Sequence, residues 1–364
     1  MRSISLLDFE QRLCGKKILV TGHTGFTGSW ACLWLKAIGA EIAGFSLPPE
    51  TEPSLYLELG LDQEIISEYG DICDYAKLDT FLCGFRPDLV LHLAAQPLVR
   101  RSYREPVSTF ATNTIGTVHI LESARGSSSV KGAVCITTDK VYKNNEWLWP
   151  YRENDPLGGK DPYSASKAAA ELVIDSYRVS YGKTDGTGLA IATARGGNII
   201  GGGDWSEDRL IPDFVRAVVS DSKLTLRYPD ATRPWQHVLA LVQGYLMLLA
   251  GLLKDPGKYA KPWNLGPQDP QIFTVREVLE VLSEEWSRPD LEYMENPLSE
   301  AGALALDSSL ARNQLGWISP WNTHQVIAET AAWYREYYRS PSDVRNLSLT
   351  QLQSWRAALA DLQK

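Results

Sequence analysis

The stretch VTGHTGFTG at residues 20–28 is the strongest indication of the fold of this chain. It continues an apolar run, KILVT at 17–21, and precedes residues 29–38, where apolar residues recur at helical spacing. Its glycines, Gly22, Gly25 and Gly28, let the backbone turn tightly and approach a pyrophosphate, whose charge then lies at a helix N-terminus. A strand, a glycine loop and a helix in this order predict a dinucleotide-binding βαβ unit.

Short apolar runs alternate with helical patterns through the rest of the first half. The runs predicted as strands are 41–45, 89–93, 133–137 and 189–193. Strands separated by helices favour right-handed βαβ units and a parallel sheet. We therefore predict an α/β fold in which residues 12–200 form a Rossmann-type, doubly wound parallel sheet.

The sequence becomes rich in Pro and Trp after the glycine run at 201–203. Helical patterns at 209–219, 238–252, 274–286 and 322–338 predict a smaller mixed α/β domain over 201–340, with some chain returning to the sheet. Residues 341–364 predict a C-terminal helix, because Leu352, Trp355, Leu359 and Leu362 share one face. Ser348 and Gln351 have the spacing of a capping box at its start.

Composition excludes several classes of protein. The chain has 364 residues, 44% of them hydrophobic and 22% charged, and a net charge of −8. These values indicate a folded protein with no affinity for nucleic acid in general. No apolar segment is long enough to span a bilayer, so we expect no membrane partner.

The five cysteines are an odd number and form no C-x-x-C motif. We expect reduced, mostly buried thiols and no disulfide framework. Residues 1–15 carry acids and no apolar run, which argues against a signal peptide. We therefore expect a cytoplasmic protein, and the histidine spacing predicts no metal site.

Tyr163 and Lys167 are four residues apart, so on a helix they face the same way. An ammonium beside a phenol stabilises the phenolate and lowers its pKa, so that the oxygen can act as a base. Such pairs are also common on protein surfaces, and only together with the glycine loop does this pair indicate catalysis.

The segment ITTDKVY at 136–142 follows an apolar strand and places Thr137, Thr138, Asp139 and Lys140 at its carboxyl end. In a parallel sheet this edge forms the ligand crevice. A hydroxyl, an acid and a base in succession suit proton transfer in several steps. Taken alone, the segment also fits an ordinary polar loop that follows a strand and has no catalytic role.

These motifs resemble the extended short-chain dehydrogenase/reductase family, on the glycine loop, the Y-x-x-x-K pair and LHLAAQ at 91–96. Nucleotide-sugar 4,6-dehydratases of that family carry Thr-Asp-Glu where this chain has Thr138, Asp139 and Lys140. Lysine at the third position resembles the CDP-glucose 4,6-dehydratase branch. Further agreement comes from QPLVR at 96–100, ARGGN at 194–198, GGGDW at 201–205, RPWQHV at 233–238 and WNLG at 263–266, within a resemblance over residues 12–338.

The resemblance implies a redox-neutral dehydration on bound NAD. Tyr163, helped by Lys167, would take the proton of the sugar 4-hydroxyl while hydride leaves C4. Lys140 would remove the C5 proton, Asp139 would protonate the departing 6-hydroxyl, and Thr138 would orient the substrate. Hydride would return to C6 and give a 4-keto-6-deoxy sugar of the kind used in deoxysugar and O-antigen lipopolysaccharide biosynthesis.

The resemblance also implies the residues that hold NAD. The second predicted strand ends at Ser46 with neither an acid nor an arginine, which favours NAD over NADP only weakly. Asp71 suits an adenine contact or a surface turn equally well. The cofactor set is Gly22, Thr24, Gly25, Phe26, Thr27, Gly28, Ser46, Asp71, Ile72, Leu93, Ala94, Ala95, Gln96, Asn113, Thr137, Tyr163 and Lys167.

For the substrate, a nucleoside diphosphate sugar with CDP-glucose preferred, the resemblance implies Gln96, Asn198, Arg209, Arg227, Arg233 and Asn264. Arg233 has the clearest physical role, because a guanidinium fork suits phosphate oxygens. Asn264 also fits a turn cap, and Arg209 also fits a solvated helix end.

Other functions stay open at this point. Another nucleotide-sugar dehydratase or an epimerase has the same fold, although an epimerase does not need Asp139 and Lys140. A net dehydrogenase and a noncatalytic dinucleotide sensor are further alternatives. The family implies a homodimer, or a tetramer, paired through the Tyr163 helix and the helix around 113–123.

Overall fold

The computed structural model describes residues 4–182, 188–267, 273–294 and 304–364, without the side chain of Arg233. The strands are β1 (Lys17–Thr21), β2 (Glu41–Ser46), β3 (Ile66–Tyr69), β4 (Leu89–His92), β5 (Gly132–Thr138), β6 (Ala190–Gly196), β7 (Ile199–Ile200), β8 (Leu224–Leu226), β9 (Thr232–Arg233), β10 (Gln236–His237), β11 (Pro262–Leu265), β12 (Phe273–Thr274) and β13 (Leu291–Tyr293).

The helices alternate with these strands in the first half and dominate the second. They are α1 (Leu6–Leu13), α2 (Phe26–Ala37), α3 (Leu55–Glu58), α4 (Tyr75–Phe85), α5 (Val99–Arg104), α6 (Pro106–Phe110), α7 (Gly116–Gly126), α8 (Pro162–Tyr181), α9 (Leu210–Val219), α10 (Val238–Lys254), α11 (Pro256–Tyr259), α12 (Val275–Glu285), α13 (Thr323–Arg339) and α14 (Val344–Leu362).

A seven-stranded sheet in the order β3-β2-β1-β4-β5-β6-β11 organises the chain, and all its pairings are parallel. The chain winds outward from β1 in both directions, so the predicted doubly wound Rossmann-type sheet is confirmed. The predicted strand at 189–193 extends to Gly196, because Ala194 and Arg195 pair with Trp263 and Asn264 of β11. The switch between β1 and β4 opens a crevice at the carboxyl edge.

Two elements of the later half belong to this sheet. Strand β11 is its last strand, and the buried helix α10 packs against β5 and β6. The remaining strands form the small sheets β7–β10, β8–β13 and β9–β12 beside α9 and α12. The predicted domain boundaries at 201 and 340 stay a prediction. That prediction includes later segments that return to the sheet, as β11 and α10 do.

The C-terminal helix begins at Val344, and the predicted capping box is wrong. Ser348 is buried and accepts a hydrogen bond from the Trp333 indole at 3.0 Å, while the Gln351 amide donates to the Glu329 carbonyl at 3.0 Å. Both side chains therefore face α13 and cannot cap their own helix. Leu352, Trp355 and Leu359 are buried, as the predicted apolar face requires, but Leu362 is exposed.

The expectation of mostly buried thiols is wrong in part. All five cysteines are free, but only Cys32 and Cys135 are buried, Cys73 is half-buried, and Cys14 and Cys83 are exposed. Within the described ranges, no helix combines the length and the apolar character needed to cross a membrane.

Three histidines, His23, His92 and His237, are buried, and burial favours the neutral ring of each. The His92 ring is bonded to the Thr21 hydroxyl at 2.7 Å, and the His237 ring accepts from the Leu239 amide at 3.2 Å, which caps α10. Burial lowers the pKa of His92 and of His237 to about 3.

We predict that the free energy of unfolding falls as pH is lowered from about 6.5 toward 3, because the unfolded chain binds a proton on each histidine that the folded chain rejects. Each contributes about 1.4 kcal/mol per pH unit in this window. Urea unfolding at pH 7, 6 and 5 measures the slope. His237→Asn keeps a cap acceptor and should remove one histidine's share, whereas exposed His324→Asn should not; an unchanged slope in His237→Asn contradicts the prediction.

Candidate active site

One cleft of about 1320 Å³ lies at the carboxyl edge of the sheet, between β1–β6 and the later half. This volume exceeds the usual range for one small ligand, about 300–1,000 Å³. The predicted site residues that line it are Gly22, Thr24, Gly25, Phe26, Thr27, Gly28, Ser46, Asp71, Ile72, Leu93, Ala94, Ala95, Thr137, Thr138, Asp139, Lys140, Tyr163, Lys167, Asn198, Arg209 and Arg227.

The three glycines of the loop meet different constraints. Gly22 has φ +74°, and a Cβ there would lie 2.7 Å from the Ala94 nitrogen. A Cβ on Gly28 would collide with the Gly22 carbonyl, so α2 could not pack on the loop. A Cβ on Gly25 would have only the Gly22 oxygen, at 3.4 Å, nearby, and would project into free space. Gly22 and Gly28 therefore serve the close packing, and Gly25 leaves room for a ligand.

The N-terminus of α2 opens toward the cleft. Gly25 is its N-cap residue, and in the described chain no side chain caps the helix. Its first backbone N–H groups and the positive end of its dipole suit a pyrophosphate. Together with the room at Gly25, this fits the predicted dinucleotide.

The far end of the dinucleotide site carries small polar groups. Thr24 Oγ1 lies 2.8 Å from Ser46 Oγ and donates to the Leu47 carbonyl at 2.9 Å. Asp71 is exposed and lines the cleft, and its carboxylate accepts the Cys73 amide at 2.8 Å. The structure thus makes Asp71 a surface turn acid that also faces the predicted adenine region.

Helix α8 carries Tyr163 and Lys167 into the cleft. Asp161 caps the helix, Pro162 occupies its first turn, and the Tyr163 amide donates to Ser102 Oγ of α5 at 3.1 Å. Lys167 Nζ donates to the Ile136 carbonyl at 3.1 Å. Both side chains line the cleft from one face of α8, as the spacing predicts, and Lys167 lies at the end of β5.

Burial dominates the electrostatics of this pair. Burial raises the pKa of Tyr163 to about 12, and the lowering effects come from the Thr138 hydrogen bond and the Arg209 charge. Burial also lowers the pKa of Lys167 to about 8. Loss of hydration outweighs the favourable protein groups, so these groups alone leave the Tyr163 pKa above its ordinary value. The expectation that Lys167 lowers this pKa toward neutral pH stays a prediction.

A buried ion pair, which no motif of the sequence indicated, joins α8 to β6. The Glu171 carboxylate accepts from Arg195 Nε at 3.0 Å, from Arg195 Nη2 at 2.8 Å and from the Thr137 hydroxyl at 2.5 Å. Both charged side chains are at most 4% exposed. The signal was an acid one helical turn after Lys167, on the same face.

The segment after β5 forms a compact polar turn. Thr138 Oγ1 donates to Asp139 Oδ1 at 2.9 Å and accepts from the Lys140 amide at 3.3 Å. Asp139 is buried and Lys140 is half-buried. Thr138 and Asp139 also affect the pKa of Tyr163, so the hydroxyl, the acid and the phenol lie near one another in the cleft that Lys140 also lines.

Three predicted contact residues lie behind the cleft wall. The Asn264 amide is bonded to the Tyr142 hydroxyl at 2.6 Å and to the Tyr151 carbonyl at 2.8 Å. Asn113 Oδ1 accepts from the backbone amide of Gln96, and Asn113 Nδ2 donates to the backbone carbonyl of Gln96. The side-chain Oε1 of Gln96 accepts from the backbone amide of Leu98 at 2.6 Å. The side-chain amides of all three residues bond to other protein groups, so these residues hold the cleft wall from behind.

The substrate side of the cleft is lined by arginines with acidic partners. Arg209 bonds to the buried Asp204 at 2.8 Å, which makes it an anchored charge and not a solvated helix end. Arg227 bonds to Asp208 at 2.7 Å. Asn198 also lines this side, and the side chain of Arg233 lies outside the described part of the structure.

The chain belongs to the NAD dependent epimerase/dehydratase family, whose model matches residues 18–266. It is similar to CDP-glucose 4,6-dehydratase of Salmonella typhimurium, with 42% identity over 331 residues that cover 89% of this chain and 92% of the relative. The extended short-chain dehydrogenase/reductase family expected from the motifs is therefore confirmed.

More distant relatives include both enzyme types of the family. UDP-glucose 4-epimerase of Rhizobium leguminosarum is 28% identical over 334 residues, which cover 88% of this chain and 98% of the relative. A crystal structure of dTDP-glucose 4,6-dehydratase from Streptomyces venezuelae with NAD bound has a TM-score of 0.77 and 26% identity, and covers 90% of this chain and 99% of that one.

We predict that Gly25→Ala folds normally but binds NAD at least tenfold more weakly, because the methyl group fills the space beside the helix N-terminus. Calorimetric titration with NAD and a thermal melt measure the two effects. Gly84→Ala is the matched control, since Gly84 is exposed on α4 with open space around it. Wild-type NAD affinity in Gly25→Ala would show that the pyrophosphate does not approach this position.

Proposed function

We propose that this protein is a CDP-glucose 4,6-dehydratase, which converts CDP-glucose to CDP-4-keto-6-deoxyglucose and water with NAD as its cofactor. The observation that carries the proposal is the placement of Asp139 and Lys140 beside Tyr163 in one cleft. An epimerase needs the Tyr163–Lys167 pair but has no step for an added acid and base. The 42% identity to the Salmonella typhimurium enzyme supports the same conclusion.

The residues that would hold the cofactor are the N-terminus of α2, the loop around Gly25 and the wall at Asp71 and Ile72. When bound, NAD would supply a hydride acceptor for C4 and later the hydride donor for C6. Every proton transfer is left to side chains of the chain itself.

Tyr163 acts as the base toward the sugar 4-hydroxyl. Burial and the charges of Asp139 and Asp161 favour the protonated phenol, while the Thr138 hydroxyl and the Arg209 charge favour the phenolate. Lys167 is fixed by the Ile136 carbonyl at the end of β5 and is the cation one helical turn after Tyr163 on α8. Thr138 lines the same cleft and would orient the 4-oxygen of the substrate.

Asp139 and Lys140 carry out the elimination. A keto group at C4 acidifies the C5 proton, which the Lys140 amine removes, and Asp139 gives its proton to the departing 6-hydroxyl. Both residues follow β5 directly, so one short turn holds acid and base on one side of the sugar. General acid–base groups of this kind contribute about 10²- to 10⁴-fold each.

The product assay separates the alternatives. A dehydratase yields a product lighter by one water and accumulates no NADH, whereas a net dehydrogenase accumulates NADH. An epimerase keeps the mass of its substrate, and a dinucleotide sensor gives no product at all. Incubation with CDP-, UDP-, dTDP- and GDP-glucose, followed by mass spectrometry, also identifies the base.

We predict that Lys140→Ala lowers the rate of water loss by about 100-fold or more and leaves NAD affinity unchanged, because only the C5 proton transfer lacks its base. Solvent deuterium exchange at C5 should be lost in parallel. Lys143→Ala removes an exposed lysine three residues away and should turn over like the wild type. Full turnover by Lys140→Ala would overturn the base assignment.

The assembly that we propose is a homodimer paired through α8 and the helix around 113–123, with a tetramer of two such dimers as the larger alternative. Supporting this are exposed apolar side chains on or beside these helices: Ile115, which directly precedes α7, and Leu172 and Val179 on α8. Leu172 and Val179 are seven residues apart on α8 and so share one face. A second copy of the same face would bury them.

We predict that Leu172→Glu dissociates the dimer, because it places a charge in the apolar contact. Sedimentation velocity reports the mass in solution. Leu7→Glu is the matched control: Leu7 is 64% exposed and Leu172 is 63% exposed, but Leu7 lies on α1. A wild-type mass for Leu172→Glu would exclude this face as the interface.

The proposal extends to the compartment in which the enzyme works and to the use of its product. The free cysteines of the described residues suit a reducing compartment, so we place the enzyme in the cytoplasm. Its 4-keto-6-deoxy product would feed deoxysugar synthesis, including that of O-antigen lipopolysaccharide.

A further inference from the structure

Three charged side chains meet on the substrate side of the cleft, in a group named here the Asp208 bridge. Asp208 Oδ1 accepts from Arg100 Nη1 at 3.1 Å and from Arg227 Nη2 at 2.7 Å. All three residues line the cleft, and their side chains are 24%, 32% and 23% exposed for Asp208, Arg100 and Arg227. Ligands that enter the cleft can therefore reach them.

The Asp208 bridge joins both halves of the molecule. Arg100 lies on α5, which follows β4 of the Rossmann-type sheet, while Arg227 follows β8 of the later half. Asp208 lies just before α9 and has φ +60°, a backbone conformation that few residues other than glycine, asparagine and aspartate adopt readily. Helix α5 also contacts the catalytic region, since Ser102 accepts the Tyr163 amide.

We propose that Arg100 and Arg227 together bind the diphosphate of the nucleotide sugar, and that Asp208 is an internal carboxylate which this diphosphate displaces. The inference rests on the proposed function for the class of substrate. It adds Arg100 as a binding residue and gives Asp208 the role of an internal competitor.

Charge decides the exchange. Two guanidinium forks carry two positive charges, and Asp208 neutralises one of them. Burial acts to raise the pKa of Asp208, but Arg227 and Arg100 hold it below its ordinary value, so the carboxylate is ionised at neutral pH. The diphosphate of a nucleotide sugar has two negative charges and offers each fork its own oxygens.

The same exchange gives selectivity. A ligand with one negative charge neutralises the two guanidinium groups no better than Asp208 already does. It therefore gains little binding free energy when it replaces Asp208. A diphosphate gains a second charge-assisted contact and leaves Asp208 free to turn to solvent. The Asp208 bridge thus favours nucleoside diphosphate compounds over singly charged ligands of the same shape.

Titration of the holoenzyme tests the inference with CDP, UDP and dTDP as probes, and the tightest of the three is used throughout. Arg100→Gln should weaken its binding about tenfold, raise KM and leave kcat within about threefold, as uniform binding requires. Asp208→Asn should strengthen binding about tenfold, since removal of one negative charge near two phosphates lowers repulsion. Asn also tolerates the positive φ.

Arg101→Gln is the matched control. Arg101 is the next residue on α5 and pairs with Glu50 and Glu105, but it does not line the cleft, so probe affinity should stay at the wild-type value. Thermal melts and NAD titrations confirm that each variant is folded.

Three results would overturn the inference: wild-type probe affinity in Arg100→Gln, unchanged or weaker affinity in Asp208→Asn, or no binding of any probe to the wild type. Because the titrations need no turnover, they remain decisive even if CDP-glucose is not dehydrated and the proposed function fails. Conversely, normal dehydration with unaltered probe affinities in both variants removes only the role of the Asp208 bridge.

Discussion

The ion pair of Glu171 and Arg195 holds together the elements that carry the chemistry. Glu171 belongs to α8 and Arg195 to β6, while the Thr137 hydroxyl brings the end of β5 to the same carboxylate. Two charges this deeply buried are tolerated only because each is matched by the other and by hydrogen bonds, and removing one partner typically costs about 3–5 kcal/mol. The positions of Tyr163 and Lys167 relative to β5 therefore depend on this contact.

An acidic protein that binds two anionic ligands needs local groups that attract negative charge. The cleft offers two different kinds of such groups. On the predicted dinucleotide side, backbone N–H groups at the end of α2 face the cleft and require no positive side chain. On the opposite side the cleft is lined by Arg209 and Arg227, which Asp204 and Asp208 neutralise in part. The net charge of −8 therefore describes the outer surface and says little about either site.

Local patterns predicted much of the fold and part of the site. Period and spacing located five of the seven strands of the sheet, the glycine loop and the Tyr163–Lys167 pair, because each depends on neighbours within a few residues. They missed β3 and β11, and they could not show that Asn264 bonds to Tyr142, 122 residues away, or that Ser348 bonds to another helix. The burial that raises the pKa of Tyr163 was equally out of reach, because burial is set by the whole chain.

The parallel sheet, the glycine loop and the order of Thr138, Asp139 and Lys140 after β5 could all be read from the sequence. These features follow from backbone sterics at glycine and from side-chain periodicity, which act over short distances. Which polar residues line the cleft, and which bond to other protein groups behind its wall, depended on the tertiary fold. It placed Gln96, Asn113 and Asn264 behind the wall, and it brought Arg100, Asp208 and Arg227 together across the cleft, because hydrogen bonds and ion pairs form between groups that folding makes neighbours.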